Sequence, residues 1–128
     1  MVTFEEFEDM LIELAEAVPE KYYVELNGGV MAREDARLHP QSRDNDLFIM
    51  GEYHRQYGLG RYVVLYYGSF MAVYGGAGQK FLQKKMRETL LHELTHHLES
   101  LAGEKDLEIE DAIQMAHYAR KNASSQEE

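Results

Sequence analysis

The chain contains no cysteine and no tryptophan, and it has only two prolines in 128 residues. Without cysteine it can form neither disulfides nor thiolate–metal bonds, so a bound metal would need His, Asp, Glu or water as ligands. The same absence makes a cytoplasmic location the simplest expectation, because disulfides belong to oxidising compartments. The length suits one domain, residues 1–128, with one modest core.

Basic residues are also scarce: 13 Lys and Arg stand against 23 Asp and Glu, which gives a formal net charge of −10. Broad nucleic-acid binding needs a basic surface, so we expect no nucleic-acid partner. No apolar run approaches the roughly 18 residues that a membrane span requires. The acidic start, MVTFEEFEDM, lacks the basic and apolar regions of a signal peptide. We therefore expect no membrane partner.

The first half of the chain predicts a series of short elements. Thr3 and Glu6 form a capping box, and the apolar stripe that follows predicts a helix over about 4–17. Pro19 favours a second short helix, which the glycines of segment 27–29 end. The later predictions in this half are a strand at 30–33, a loop at 34–45 and a strand at 47–54.

The second half predicts a hairpin and a long helix. A glycine-containing turn at 56–60 leads into a β-branched and aromatic strand at 61–67, and a short helical turn follows. Residues 80–101 predict one long helix that Gly103 ends in a left-handed conformation. We expect a last helix from about Asp106 and a disordered tail at 121–128. The long helix has an apolar stripe of Leu82, Met86, Leu90, Leu94, Leu98 and Leu101.

The most informative motif of the chain, HExxH, lies on that long helix. His92 and His96 are four residues apart, so both imidazoles can reach one metal ion, and the stripe lies almost opposite them. Glu93 is rotated partly out of that line, where it can act on a metal-bound water as a general base. The pattern therefore predicts a Zn²⁺ hydrolase site. The competing interpretation is an ordinary polar helix face in water.

A catalytic zinc site normally takes three protein ligands, and several acids could supply the third. Asp106 is our prediction, because a chain reversal at Gly103 lets a carboxylate approach from a second direction. Glu99 lies on the same helical face as the histidines, which suits support of the site better than a tetrahedral ligand. The later acids Glu104, Glu108 and Glu110 stay open as alternatives.

The other polar residues carry weaker predictions. His97 is rotated off the metal-facing line, so a structural or supporting role is expected for it. Structural or surface roles are also expected for His39, His54 and His117, and Thr95 is expected only to fill the helix. The tyrosine-rich strand is either a half-buried strand or the edge of a cleft where a peptide adds by backbone pairing. In the second case, Tyr66 or Tyr67 could stabilise an oxyanion.

The helix HELTHHLESLAG, preceded by the segment VVLYYGSF, resembles the small bacterial zincin-like metallopeptidases, or minimal zincins. The resemblance extends over most of the chain, and the family pattern is similar to HExxHHxxGxxD. It implies zinc bound by two histidines and an aspartate, with the motif glutamate as base. His92, His96 and Glu93 match those positions. The segment Gly103-Glu104-Lys105-Asp106 matches the GxxD part further along the chain, which implies Asp106 as the third ligand.

These observations predict one α+β domain of minimal zincin-like fold, in which a small antiparallel or mixed sheet packs against the HExxH helix with flanking helices. The predicted function is a zinc-dependent metallopeptidase that acts on peptide or protein substrates, with Zn²⁺ as cofactor and Glu93 as base. The alternative is a non-catalytic metal-binding or interaction protein in which the ion is structural.

Overall fold

The computed structural model describes residues 1–103 and residue 116, and its first element is an N-terminal helix, α1 (Phe4–Ala17). The backbone N–H of Glu6 donates to Thr3 Oγ1 at 3.1 Å, and the N–H of Thr3 donates to Glu6 Oε1 at 2.9 Å. This reciprocal capping satisfies two of the amide donors that a helix start leaves unpaired. The helix and the capping box predicted from the sequence are therefore confirmed.

The next element is a 3₁₀ helix (Glu20–Tyr23), which confirms the short helix predicted after Pro19. Its first hydrogen bond runs from the Tyr22 N–H to the Pro19 carbonyl, which is the tighter i→i+3 spacing. The other elements of the described residues follow in chain order. They are β1 (Gly29–Arg33), β2 (Arg37–Leu38), β3 (Phe48–Ile49), β4 (Gly51–Gln56), β5 (Gly60–Tyr66), α2 (Tyr67–Tyr74) and α3 (Gln79–Ala102).

The main sheet is mixed and has the strand order β1-β5-β4. β5 pairs in parallel with β1 and antiparallel with β4, so the predicted hairpin is confirmed. A second, two-stranded sheet is formed by β2 and β3. The described chain is thus a small mixed α+β domain with three α-helices.

The region between β1 and β4 corrects two predictions. The predicted loop at 34–45 contains β2, and the predicted strand at 47–54 is divided into β3 and β4 at Met50. The division arises because β3 pairs with β2, whereas the Met50 carbonyl already accepts a hydrogen bond from the Tyr66 N–H of β5. A two-residue strand is too short to produce a recognisable alternation in sequence.

The two faces of β5 belong to different apolar clusters. Val63 and Leu65 pack into the main core with α1 and α3, whereas Tyr62, Val64 and Tyr66 form a smaller cluster on the opposite face of the sheet. This is the expected alternation of side chains along a strand. The face of β5 that carries Val63 and Leu65 is therefore the face on which α3 lies.

The long helix α3 confirms the predicted helix and its apolar stripe. All six stripe residues are at most 2 % exposed. Gly103 ends the helix as predicted, but its φ of −69° and ψ of −16° are right-handed, so the predicted left-handed conformation is wrong. Its N–H still donates to the Glu99 carbonyl, which continues the helical pattern by one residue. Of the predicted last helix only Ala116 is described, as a buried helical residue, and the tail at 121–128 lies outside the described residues.

Across the described part of the chain, no helix combines the length and the apolar composition that crossing a membrane requires.

Candidate functional site

Helix α3 presents the two histidines of the HExxH motif on the side that faces away from the main core. The side chains of His92 and His96 are exposed, whereas the leucines around them are buried. The Nε2 atoms of the two histidines lie 3.0 Å apart, and their ring planes stand at 90° to each other. The predicted placement opposite the stripe is confirmed, and it brings two imidazole nitrogens to one point in solvent.

Glu93 differs from both histidines in that it is buried, with only 8 % of its surface exposed. It lies where α3 comes closest to β4: a Cβ on Gly51 would be 3.5 Å from Glu93 Cγ and 2.7 Å from Thr89 Cγ2. The absence of a side chain at Gly51 therefore lets helix and strand approach. Burial raises the pKa of Glu93 to about 7, and the negative charge of Glu52 adds to the increase.

Glu52 is a site residue that the sequence analysis missed. It lies on β4, and its carboxylate is held by three side chains: Tyr66 donates its hydroxyl at 2.5 Å, His54 Nε2 is at 3.1 Å, and Arg37 Nε is at 3.4 Å. In the sequence, the only indication of a role for Glu52 was that it is a single glutamate in an apolar strand. No spacing rule connects position 52 with position 93. Only the pairing of β4 with β5 and the packing of β4 against α3 place the charge of Glu52 within electrostatic range of Glu93.

A cleft runs between α3 and the strands β3 and β4, with Gly51 and Glu93 at its centre. On one side, a groove of about 640 Å³ is lined by residues 51–55 together with Glu93, His96, Glu99 and Ser100. On the other side, a groove of about 410 Å³ is lined by residues 48–51 together with His39, Glu88, Thr89, His92 and Glu93. The motif residues therefore line a cleft that is open to solvent.

The edge of this cleft is β4, so of the two interpretations of the tyrosine-rich strand the cleft edge is wrong. That strand, β5, is the central strand and is paired on both sides. Since Met50 and Tyr66 are hydrogen-bonded partners, the alternation of an antiparallel ladder turns the backbone groups of Gly51 and Tyr53 away from β5. The free edge beside the motif thus belongs to β4.

The hydroxyls of Tyr66 and Tyr67, considered as possible oxyanion donors, are hydrogen-bonded to other groups of the protein. The Tyr67 hydroxyl donates to the Val2 carbonyl at 2.6 Å, and the ring packs against Phe4 and Phe7 of α1. The Tyr66 hydroxyl donates to Glu52 on the face of the sheet opposite α3. Burial, together with that bond and the negative charge of Glu52, raises the pKa of Tyr66 to about 12. The condition on which their possible oxyanion role depended, a cleft edge formed by the tyrosine-rich strand, is therefore not met.

His97 has the structural role predicted for it. It is fully buried, the Tyr53 hydroxyl donates to its Nδ1 at 2.8 Å, and its Nε2–H donates to the Val24 carbonyl at 2.6 Å. Arg61 extends the network by donating to Tyr53 Oη at 2.9 Å and to Ser100 Oγ at 2.7 Å. Burial lowers the pKa of His97, so the ring is neutral and connects α3 to β4 and to the loop before β1.

The remaining polar residues of α3 have local contacts. Thr95 is buried and its hydroxyl donates to the Leu91 carbonyl at 2.8 Å, as expected of a residue with only a structural role in the helix. Glu99 lies on the Nδ1 side of the His96 ring, with Oε1 3.9 Å from Nδ1, and therefore away from the paired Nε2 atoms. This position suits the supporting role that the sequence favoured for Glu99.

Two further histidines lie in or near the cleft. His54 makes the contact with Glu52 described above and stacks on Tyr62 at 4.9 Å between ring centroids. His39 lines the smaller groove, and its Nδ1 accepts a hydrogen bond from the Gln41 N–H. His117 lies outside the described residues. These contacts are consistent with the structural roles expected for His39 and His54.

The predicted third ligand, Asp106, lies outside the described residues, as do Glu104, Glu108 and Glu110. Within residues 1–103 and 116, no group of three or more His, Asp or Glu side chains is arranged to hold a metal ion. Glu88 is a carboxylate of the cleft wall that was not predicted from the sequence, and its Oε1 is buried without a hydrogen-bond partner among the described residues. The described residues therefore provide a histidine pair and nearby carboxylates.

Comparison with solved structures finds a conserved hypothetical protein from Thermo thermophilus that is 37 % identical to this chain, with a TM-score of 0.70. The match covers 80 % of this chain and 100 % of the other. The chain belongs to the same family as that protein. No protein-family model and no curated protein matches the chain. Membership of this family supports the fold, and it assigns no chemistry to the HExxH helix.

Proposed function

We propose that this protein is a zinc-dependent peptidase of zincin-like fold whose general base is Glu93. The observation that carries the proposal is the arrangement at the middle of α3. Two exposed imidazoles converge at 3.0 Å, and a buried carboxylate with a raised pKa lies beside them in an open cleft. Perturbed acids that line a cleft next to possible metal ligands are typical of active sites.

The histidine pair fits a zinc ion. Zn–N bonds are about 2.0–2.1 Å long, so one ion can contact two nitrogens only if they lie within about 4 Å of each other. The separation of His92 Nε2 and His96 Nε2 meets this condition. Neutral imidazole is a preferred zinc ligand, and we propose Asp106 as the third. Bound zinc would supply a water of lowered pKa and a Lewis acid for the substrate carbonyl.

Glu93 has the properties required of a base that works near neutral pH. A carboxylate with its ordinary pKa of 4.5 accepts protons poorly at pH 7, whereas burial and the charge of Glu52 raise the pKa of Glu93 to about 7. In its ionised form Glu93 would take a proton from the attacking water. Its protonated form would then give that proton to the leaving amine nitrogen.

The substrate would bind as an extended peptide along β4. The backbone groups of Gly51 and Tyr53 point to the open edge of the sheet, and Glu93 lies beside Gly51. Strand addition would place a peptide bond near Glu93 by main-chain hydrogen bonds alone. The network of His97, Tyr53 and Arg61 would hold the edge strand at a fixed distance from α3.

An open cleft favours this proposal over a structural ion. Structural zinc sites are closed by four protein ligands, whereas catalytic sites keep one position for water. Here both histidines are exposed, and grooves extend on both sides of Glu93. A metal ion that only stabilises the fold does not require a buried acid of raised pKa next to an open groove.

The test combines metal analysis with peptidase assays on denatured protein substrates. Wild type purified without chelator should contain about one zinc per chain, and Glu93→Gln should retain the zinc while losing hydrolysis by at least roughly a thousandfold. Asp106→Ala should lose zinc, and the matched variant Glu99→Ala should keep it. Peptidase activity that survives in Glu93→Gln would disprove the role of Glu93. Wild type without metal and without activity would disprove the proposal as a whole.

A further inference from the structure

A further groove lies at the other edge of the sheet, beside β1. It has a volume of about 670 Å³ and is enclosed by α1, the 3₁₀ helix and β1. This volume is within the range of roughly 300–1,000 Å³ that is common for ligand sites. The groove shares none of its lining residues with the cleft at the HExxH helix. It is therefore a separate surface, which the proposed peptidase function does not use.

The lining of this groove is mainly apolar. Leu11, Val18 and Leu26 form buried parts of it, and Ile12 of α1 stands at its mouth with 56 % of its surface exposed. Tyr23 connects two of the walls, because its hydroxyl donates to the Ala15 carbonyl of α1 at 2.6 Å. An apolar groove with a large exposed aliphatic residue at its mouth is a surface that favours a partner.

The charged residues of the groove all have one sign. Glu8, Glu16 and Glu20 line it, and no lysine or arginine is among the described residues that do so. Carboxylates around an apolar surface favour a partner that is apolar in the middle and cationic at its ends, because such a partner matches both properties. The formal net charge of −10 adds a long-range attraction for the same kind of partner.

The strand at this groove favours an extended partner. β1 is an edge strand of the described sheet, and four of its residues, Gly29 to Ala32, line the groove. An extended chain can pair with an edge strand through its backbone while alternate side chains enter a neighbouring groove. Lysine and arginine have long apolar stems, so their charged groups can reach the glutamates at the rim.

We propose that the groove between α1 and β1 binds an extended segment of another protein, in which apolar side chains are flanked by lysine or arginine. The apolar side chains occupy the space beside Leu11 and Ile12, and the basic groups pair with the glutamates of the rim. The peptidase chemistry proposed above is not needed for this binding, since the two surfaces lie at opposite edges of the sheet.

The test is an NMR titration of the full chain with a blocked synthetic peptide of sequence Lys-Leu-Val-Leu-Lys. We expect saturable changes in the amide signals of the second half of α1 and of β1. The same peptide with glutamate in place of lysine should produce no saturable change. Signals that change mainly at the HExxH helix, or that change equally with both peptides, would overturn the proposal.

A matched pair of variants separates docking in the groove from simple attraction between charges. Ile12→Glu and Val73→Glu each replace an exposed aliphatic residue of a helix, 56 % and 48 % exposed, by the same acid. Charge attraction alone predicts that both variants bind the basic peptide more tightly. Docking in the groove predicts that Ile12→Glu binds roughly tenfold more weakly, because an apolar contact is lost. Val73→Glu should bind at least as well as wild type, and equal affinity of the two variants would disprove the groove as the site.

Discussion

His96 and His97 are neighbours in sequence, yet α3 places them in opposite environments. His96 is exposed, and its Nε2 meets that of His92 at 3.0 Å. His97 is fully buried, and both of its ring nitrogens are hydrogen-bonded to other parts of the fold. A step of about 100° along the helix accounts for the difference. The two histidines thus have different roles. The exposed His96 imidazole is accessible to a ligand, whereas the buried His97 imidazole connects α3 to β4 and to the loop before β1.

The first prediction tests the structural half of this comparison and has the largest expected effect. His97→Ala leaves the Val24 carbonyl without its donor and the Tyr53 hydroxyl without its acceptor, and it creates a cavity. The free energy of unfolding of the metal-free protein should fall by about 3–5 kcal/mol, because a fully buried side chain leaves a cavity and two part-buried polar groups lose a hydrogen-bond partner. Urea denaturation followed by circular dichroism measures this change.

Tyr53→Phe is the graded control for His97→Ala. It removes the hydroxyl alone, so the loss should be about 1–3 kcal/mol, smaller than that of His97→Ala. If His97→Ala unfolds at the same urea concentration as wild type, the buried network does not hold α3 against β4.

The second prediction concerns Glu93, which is buried like His97 but lies in the motif. Its pKa in the folded protein is raised from 4.5 to about 7, so folding favours the protonated carboxyl. The resulting stabilisation is complete below about pH 4.5 and is lost as the pH rises through 7. Metal-free Glu93→Gln should therefore be more stable than metal-free wild type above pH 7, by up to about 3 kcal/mol. Denaturation curves recorded across this pH range measure the difference.

The variant Glu52→Gln tests whether the charge of Glu52 contributes to the raised pKa of Glu93. Because the charge of Glu52 raises the pKa of Glu93, the stability gain from Glu93→Gln above pH 7 should be smaller when Glu52→Gln is already present. The double variant is therefore compared with the single variant Glu52→Gln. A difference between wild type and Glu93→Gln that stays constant from pH 4 to pH 9 would contradict the assignment of the raised pKa to Glu93.

The third prediction tests the exposed half of the comparison and has the smallest effect on stability. His96→Ala removes a side chain that faces solvent, so the free energy of unfolding of the metal-free protein should change by no more than about 0.5 kcal/mol. Zinc content measured after gel filtration should nevertheless be lost. A large loss of stability together with retained zinc would reverse the roles assigned to His96 and His97.

The parts of the fold that depend on local sequence were predicted well. The capping box at Thr3 and the apolar stripe of α3 are patterns of residues that are close together in sequence. Each helix could therefore be predicted from its own segment of the chain. The hairpin of β4 and β5 was predicted for the same reason, since its turn and its strands are adjacent in sequence. The exposure of His92 and His96 follows directly from the position of the stripe.

The packing of a small mixed sheet against the HExxH helix was predicted, but the order of the strands was not. The sequence left β5 either as a half-buried strand or as the edge of a cleft, and its parallel pairing with β1 places it in the centre of the sheet. That pairing joins segments about thirty residues apart in sequence, and no local pattern encodes it. The partnership of Glu52 with Glu93, and the approach of α3 to Gly51, depend on the same sheet order.

The sequence by itself determined which helix carries the HExxH residues and which of its faces reaches solvent, because helical periodicity is a local property of the chain. Only the tertiary structure decided what surrounds those residues. It placed β4 at the edge of the cleft, brought Glu52 close enough to influence Glu93, and buried His97 between Val24 and Tyr53. Each of these contacts joins separate elements, so it exists only once the sheet and α3 have packed together.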